Sequence, residues 1–128
     1  MRHRKKRSTL LESGAKKKSI VLRNLLTSLV LHGSITTTPA KARSLKAYAD
    51  KFFSGLMRSY TTYNTDEDAL RENIRVVKAT IFGEDAGKKV IRDILPQYKE
   101  KKQQSFIANY KIGFRPGDAS MKILVKLI

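Results

Sequence analysis

Apolar residues recur every three to four positions in three long stretches of this chain, the spacing that places them on one face of an α-helix. The first stretch, residues 19–32, is apolar around much of its circumference, so we expect a helix in the centre of the core. The second covers residues 39–59, and the third begins near residue 66. The positions that define the three stripes are Val21, Leu22, Leu25, Leu26 and Leu29, then Ala42, Leu45, Ala49, Phe52 and Leu56, then Leu70, Ile74, Val77 and Ile81.

Capping residues support these helix boundaries. Thr65, followed by Asp68 three residues later, resembles a capping box at the start of the third helix. The other expected termini are Ser19 and Gly33 for the first helix, and Thr38 followed by Pro39 for the second. A shorter fourth helix is expected through residues 90–95, with Pro96 stopping it or lying in its last turn.

Strands are predicted where β-branched residues follow one another or where apolar and polar residues alternate along the chain. Residues 34–38 are short and β-branched, which favours a strand. Residues 106–112 and 121–128 alternate in polarity, and the turn-forming residues 113–118 separate them, so together they predict a hairpin. The order is helix, strand, three helices and two strands, which predicts an α+β class with helices packed on one face of a small sheet in two layers.

Charge is the outlying property of the composition. The 27 Lys and Arg against 11 Asp and Glu give a net charge of +16 in 128 residues. Nine of these cations lie within the first 23 positions, where Glu12 is the one acid. Residues 1–18 show no apolar periodicity, so we expect an extended basic arm there and a single compact domain over residues 19–128. Such a surplus predicts a polyanionic partner, most commonly nucleic acid.

Catalytic and metal-binding patterns are weak in this chain. The sequence has no Cys, and neither His3 nor His32 has a partner at metal-ligand spacing. Residues 83–89 superficially resemble a phosphate loop, but Lys89 stands where a Ser or Thr is required, so we expect a turn between helices. The sequence therefore predicts no enzyme, no cofactor, no metal and no small-molecule substrate.

The placement of the cations suggests phosphate contacts that position the protein without reading sequence. We expect RNA contacts from the arm, from the start of the first two helices and from the hairpin end. A DNA-binding nucleoid or regulatory protein is the main alternative, and it would need a recognition helix or a symmetric dimer. A further alternative is binding to an anionic membrane surface, or export directed by the basic N-terminus and the apolar run that follows it. Arg23 and Asn24 interrupt that run, which argues against export.

Several motifs, in order along nearly the whole chain, resemble the bacterial large-subunit ribosomal protein seventeen family. They are Met1-Arg-His-Arg-Lys5, Leu22-Arg-Asn-Leu25, Thr27-Ser-Leu29, Ile35-Thr-Thr37, Ala40-Lys-Ala42 and Lys111-Ile-Gly-Phe-Arg-Pro-Gly-Asp-Ala119. The resemblance implies a two-layer fold, a structural role without catalysis, contacts with large-subunit ribosomal RNA and neighbouring ribosomal proteins, and a ribosome-bound location in the cytoplasm. Residues 8–12 and 104–108 depart from the family pattern.

Charge placement and the resemblance together give a set of candidate RNA-binding residues. They are Arg2, His3, Arg4, Lys5, Lys6, Arg7, Lys16, Lys17, Lys18, Arg23, Asn24, Thr36, Thr37, Lys41, Arg43, Lys46, Lys111 and Arg115.

Overall fold

The computed structural model describes residues 18–101 and 105–128. Its elements are α1 (Lys18–His32), β1 (Ser34–Thr37), α2 (Pro39–Thr62), α3 (Asp66–Thr80), α4 (Glu84–Lys89), α5 (Leu95–Lys101), β2 (Ile107–Phe114) and β3 (Met121–Leu127). A π-helical turn, Val90–Ile94, joins α4 directly to α5, so the two act as one helical unit. The predicted α+β class and the predicted order of elements are confirmed.

The three strands form one antiparallel sheet in the order β1-β3-β2. The predicted hairpin of β2 and β3 is confirmed, with Asn109 opposite Val125. On its other edge β3 pairs with β1, where Ile35 also lies opposite Val125. The last strand in the sequence is therefore the central strand of the sheet, which places the hairpin next to the residues that enter α2.

The helices cover one face of this sheet. Ile123 and Val125 of β3 point towards the helices and are buried. On the opposite face, Thr36, Tyr110 and Lys126 are exposed to solvent. The predicted two-layer packing follows from this alternation, because successive strand residues point to opposite faces.

The core lies between α1, α2, the α4–α5 unit and the sheet. Leu26 and Leu29 of α1 have no exposed surface, as expected for a central helix. An aromatic cluster joins Phe53 of α2, Tyr98 of α5 and Phe106 before β2, with ring centroids 4.9–5.7 Å apart. Tilted and edge-on contacts at such distances are favourable, and they tie the start of the hairpin to the helical layer.

The predicted core face of α3 is partly wrong. Leu70 is 38% exposed, whereas Ala69 and Asn73 are buried. Asn73 lies against Ser59 of α2, with 2.7 Å between Ser59 Oγ and Asn73 Oδ1. The predicted stripe therefore fails in the first half of α3, where this polar pair lies between the two helices, whereas Val77 and Ile81 are buried as predicted.

Some predicted helix ends also change. Helix α1 begins at Lys18, so Ser19 lies inside it and is not its N-cap. Helix α2 continues three residues beyond Ser59, and the N–H of Tyr63 closes its last turn on the carbonyl of Ser59. Thr65 is confirmed as the N-cap of α3, where its side chain accepts from the N–H of Asp68 at 3.3 Å.

The fourth helix is longer than predicted because it passes through Pro96. Proline has no N–H and its ring crowds the carbonyl four residues earlier, which normally ends a helix. Here the preceding turn widens to π geometry, with the N–H of Leu95 bonded to the carbonyl of Val90. The expected turn at residues 83–89 is wrong for most of that range, because Glu84–Lys89 forms helix α4 directly after Gly83.

Candidate nucleic-acid interface

An open cleft of about 330 Å³ lies where the end of β1, the first turn of α2 and the hairpin loop meet. The pairing of β1 with β3 creates it, since Thr37 lies opposite Ile123 and the loop before β3 is brought beside the N-terminus of α2. We call it the first cleft. Its lining residues are Thr36, Thr37, Thr38, Lys41, Arg115, Ser120, Met121 and Lys122.

Helix α2 presents its N-terminus at this cleft. Thr38 is the N-cap in extended conformation, but its side chain makes no capping hydrogen bond, and Pro39 occupies the first turn. The N–H groups of Ala40 and Lys41 have no acceptor within the helix, because the first N–H groups of any helix precede the i−4 ladder. No acid lies in this first turn. The end of this 24-residue helix therefore favours an anion.

The hairpin loop holds Arg115 in a fixed position. The Nε of Arg115 donates to Asp118 Oδ1 at 2.9 Å, and its Nη2 donates to the other carboxylate oxygen. The backbone N–H of Arg115 donates to Ser120 O at 2.7 Å, and that of Ala119 donates to Arg115 O at 2.9 Å. The side-chain hydrogen bond with Asp118 raises the pKa of Arg115, so its guanidinium is a permanent cation at the cleft.

A second cleft of about 260 Å³ adjoins the first along α2 and β2. Met121 lines both clefts, so they form one continuous surface. Asn109 Nδ2 donates to the carbonyl of Ala42 at 3.3 Å and fixes the strand against the helix. The residues that line the second cleft are Pro39, Ala42, Arg43, Lys46, Asn109, Tyr110, Lys111, Met121 and Ile123.

The charge of the described residues is unevenly distributed. Residues 34–46 and 105–128 carry seven Lys and Arg and one acid, Asp118, which is already paired with Arg115. Residues 66–101, which form α3 to α5, carry eight Lys and Arg against eight Asp and Glu. The two clefts therefore lie on a strongly cationic side of the body, whereas the α3–α5 side is close to neutral. We call the cationic side the basic face.

The structure brings seven of the candidate RNA-binding residues together on the basic face. They are Thr36, Thr37, Lys41, Arg43, Lys46, Lys111 and Arg115. Lys46 also has an internal role, because its Nζ donates to Ile107 O at 3.0 Å and to Asp50 Oδ2 at 3.1 Å. Asp50 Oδ1 in turn accepts from the N–H of Phe106 at 3.2 Å, so this pair secures the start of β2.

Arg23 and Asn24 lie apart from that group, on α1. Arg23 Nε donates to the carbonyl of Thr80 at 2.9 Å, and its guanidinium carbon lies 4.1 Å from the ring centroid of Phe82. These contacts attach α1 to the end of α3, and Thr27 adds to them because its Oγ1 accepts from the N–H of Phe82 at 3.1 Å. Asn24 is exposed. RNA contacts for these two residues stay predictions.

The arm residues lie outside the part of the chain that the structure describes. They are Arg2, His3, Arg4, Lys5, Lys6, Arg7, Lys16 and Lys17. Lys18 is described only as the first residue of α1. The arm and its contribution to binding stay predictions.

Several residues of the basic face are absent from the set of RNA-binding residues that the sequence predicts. Lys122 and Ser120 could have been found from the predicted hairpin, since residues at the start of its second strand must lie beside Arg115. The place of Tyr110 at the second cleft had no signal in the sequence, because it depends on how β2 packs against α2.

The described residues contain no cluster of His, Cys, Asp and Glu suited to a metal ion. Over the same residues, none of the helices is both long enough and apolar enough to span a membrane.

Comparisons with protein families and with known proteins point to the same family. The family model described as Ribosomal protein L17 matches residues 21–128. A protein of Thermotoga maritima named large ribosomal subunit protein bL17 is 37% identical over all of this chain and 95% of its own length. Proteins of the same name from Carboxydothermus hydrogenoformans and Moorella thermoacetica are 34% and 32% identical, over 84% and 87% of this chain and 87% and 89% of their own lengths. The chain belongs to the ribosomal protein L17 family, a family of structural, non-enzymatic components of the ribosome.

Proposed function

We propose that this protein binds large-subunit ribosomal RNA through the basic face and acts there as a structural, ribosome-bound component of the bacterial large subunit. The observation that carries the proposal is the charge of that face, where six cations line the two clefts. The two acids bonded to them are already paired, Asp50 with Lys46 and Asp118 with Arg115. Phosphate groups are the ligands that best match a helix N-terminus, threonine hydroxyls and Lys and Arg side chains in one place.

The first cleft suits a phosphate of the RNA backbone. Lys41 and Lys122 supply mobile point charges, whereas Arg115 is held in a fixed orientation by Asp118. The second cleft continues the surface with Arg43 and Lys111, so the backbone of one RNA strand can follow both. Contacts of this kind position the protein on a folded RNA and depend on its shape.

The arm is the second element of the proposal. Its basic residues would enter the RNA beyond the surface that the body covers, and neighbouring proteins of the subunit would contact the rest of the domain. The alternative of a DNA-binding nucleoid or regulatory protein has no support in the relatives, which are ribosomal proteins.

The direct test of the basic face uses two triple variants with the same change in charge. Lys41→Gln, Arg43→Gln and Lys122→Gln remove three cations from the basic face. Arg71→Gln, Lys78→Gln and Arg92→Gln remove three from the neutral side and serve as the control. The dependence of log Kd on log salt should become shallower by about 2–3 for the first variant, since each phosphate that is no longer neutralised lowers the slope by roughly 0.7–0.9. An equal change in the control would contradict the proposal.

Association with the ribosome is tested by sucrose-gradient sedimentation of cell extracts. We expect the protein in the large-subunit fractions at low salt and its release at high salt, because screening weakens phosphate contacts. A protein without residues 2–17 should keep the circular dichroism of the folded domain but sediment with fewer particles. Absence of the full-length protein from all large subunits would contradict the assignment.

A further inference from the structure

The hairpin loop places an acid beside a cation at the edge of the first cleft. Asp118 is the one Asp or Glu among residues 105–128, and it follows Arg115 by three positions. A carboxylate repels phosphate, so on an RNA-binding surface it would by itself weaken binding. Arg115 lines the first cleft, whereas Asp118 is not among the lining residues. The carboxylate therefore lies outside the space that a phosphate in this cleft would occupy.

The ion pair uses one side of the guanidinium and leaves its end free. An arginine side chain carries five N–H groups in one plane. Nε and one N–H of Nη2 donate to the two carboxylate oxygens of Asp118. The other three N–H groups of Arg115, two on Nη1 and one on Nη2, donate to none of the residues that the structure describes. One N–H of Nη1 and the free one of Nη2 lie parallel, and their spacing matches two oxygens of a phosphate.

The backbone of the loop fixes the acid relative to the cation. The N–H of Arg115 donates to Ser120 O at 2.7 Å, and the N–H of Ser120 donates to Asp118 Oδ1 at 3.1 Å. Between them Ala119 has a φ of +56°, which residues other than glycine rarely adopt. Such a conformation persists where the surrounding bonds determine it, and it occurs most often at ligand sites. The loop is therefore built to hold Asp118 in one place beside Arg115.

We infer that Asp118 strengthens RNA binding, because it orients Arg115 so that the free end of the guanidinium holds one backbone phosphate in the first cleft through two hydrogen bonds. The inference rests on the proposed RNA-binding function and adds a positioning residue to it, one that does not touch the RNA itself. Lys41 and Lys122 line the same cleft, but a lysine acts there as a mobile point charge without a fixed direction.

Two opposing effects of Asp118 decide whether the acid helps or harms binding. Its repulsion of the phosphate acts past the guanidinium and through solvent, since both side chains of the pair are about half exposed, so water and salt screen it. Without the acid, the guanidinium would keep its charge but lose rotamer freedom only on binding, which costs affinity. The two-bond contact is short-range and depends on direction, so we expect orientation to outweigh repulsion.

The experiment measures binding of the full-length protein to protein-free large-subunit ribosomal RNA by filter binding. Asp118→Asn keeps the size of the side chain and an oxygen for the N–H of Ser120. It should weaken binding at least about fivefold, although it raises the net charge by one. The matched control is Glu72→Gln, which makes the same change in charge. It breaks a similar bidentate pair with Arg75, also three residues away, on the neutral side of the body, and it should not weaken binding.

The same substitution in an Arg115→Gln background separates positioning from a role in folding the loop. No guanidinium is left to orient there, so Asp118→Asn should strengthen binding by removing a repulsive charge. Weaker binding in both backgrounds would overturn the inference, because the acid would then serve the loop fold. Stronger or unchanged binding in the wild-type background would overturn it as well. Absence of salt-dependent RNA binding by the wild-type protein would instead refute the proposed function itself.

Discussion

Arg115 and Asp118 form a bidentate ion pair across the hairpin loop, and Asp118 Oδ1 also accepts from the backbone N–H of Ser120 at 3.1 Å. The carboxylate therefore organises the loop in two ways. It orients the guanidinium at the first cleft, and it fixes the backbone where β3 begins. One acid on an otherwise cationic face is explained by this positioning role.

The ion pair predicts an unusual titration of Asp118. Its hydrogen bond with Arg115, aided by the N–H of Ser120, lowers the pKa of Asp118 well below its ordinary value. A lowered folded pKa stabilises the folded loop above about pH 4, and that contribution is lost as the pH falls through the folded pKa. NMR of the Asp118 carboxyl should show it still ionised at about pH 3, below the ordinary pKa of an Asp. In Arg115→Ala the midpoint should rise towards the ordinary value, and an unchanged midpoint would contradict the assigned cause.

The burial of Tyr98 predicts a change in its ionisation and in the stability of the protein at alkaline pH. Burial, with a smaller effect from the charge of Asp50, raises the pKa of Tyr98 to about 12. Because the unfolded phenol ionises near pH 10, the stabilising effect is complete below about pH 10 and is lost as the pH rises towards 12. Ultraviolet titration should show a late phenol step that disappears in Tyr98→Phe. If that variant instead loses a phenol step near pH 10, the prediction is contradicted, because Tyr98 would then ionise at the ordinary pKa of a tyrosine.

The contact between Ser59 and Asn73 is the main polar contact buried between α2 and α3. Both residues are buried, and Asn73 Nδ2 has no hydrogen-bond partner among the described residues. Ser59→Ala removes the remaining partner, so it should lower the free energy of unfolding by about 1–3 kcal/mol. The double variant Ser59→Ala, Asn73→Leu should recover much of that loss, since both polar groups are then absent. If urea unfolding shows that the double variant loses as much stability as the two single substitutions added together, this explanation is contradicted.

Two glycines should respond to alanine in opposite directions. Gly33 ends α1 with φ +78°, a conformation that costs an L-residue about 1–2 kcal/mol, so Gly33→Ala should destabilise the protein. Gly55 lies inside α2, with free space where a Cβ would stand, so Gly55→Ala should stabilise by about 0.5–1 kcal/mol. Urea unfolding followed by circular dichroism measures both. A stabilising effect of Gly33→Ala would be inconsistent with the positive φ angle of Gly33 at the end of α1.

The sequence alone determined the elements of this fold, their order and their charge. Helical and strand periods reflect which residues can share one buried face, and this local property can be read from the spacing in the first two helices and in the hairpin. The ordered motifs also pointed to the family that the comparisons show. The stripe of α3 was correct at Val77 and Ile81 but wrong at Leu70, because the contact of Asn73 with Ser59 involves two helices and the spacing within one helix does not contain it.

Only the tertiary structure decided how the candidate residues assemble. The pairing of β1 with β3 joins residues nearly ninety positions apart, and it places Thr36 and Thr37 beside Arg115 and Lys122. The bulge at Ile112 then changes which sheet face Phe114 occupies, and a one-residue change of register is enough to move a side chain across a sheet. Pairing and register depend on long-range packing, and for that reason the spacing of residues along the chain predicted the cations but not the clefts.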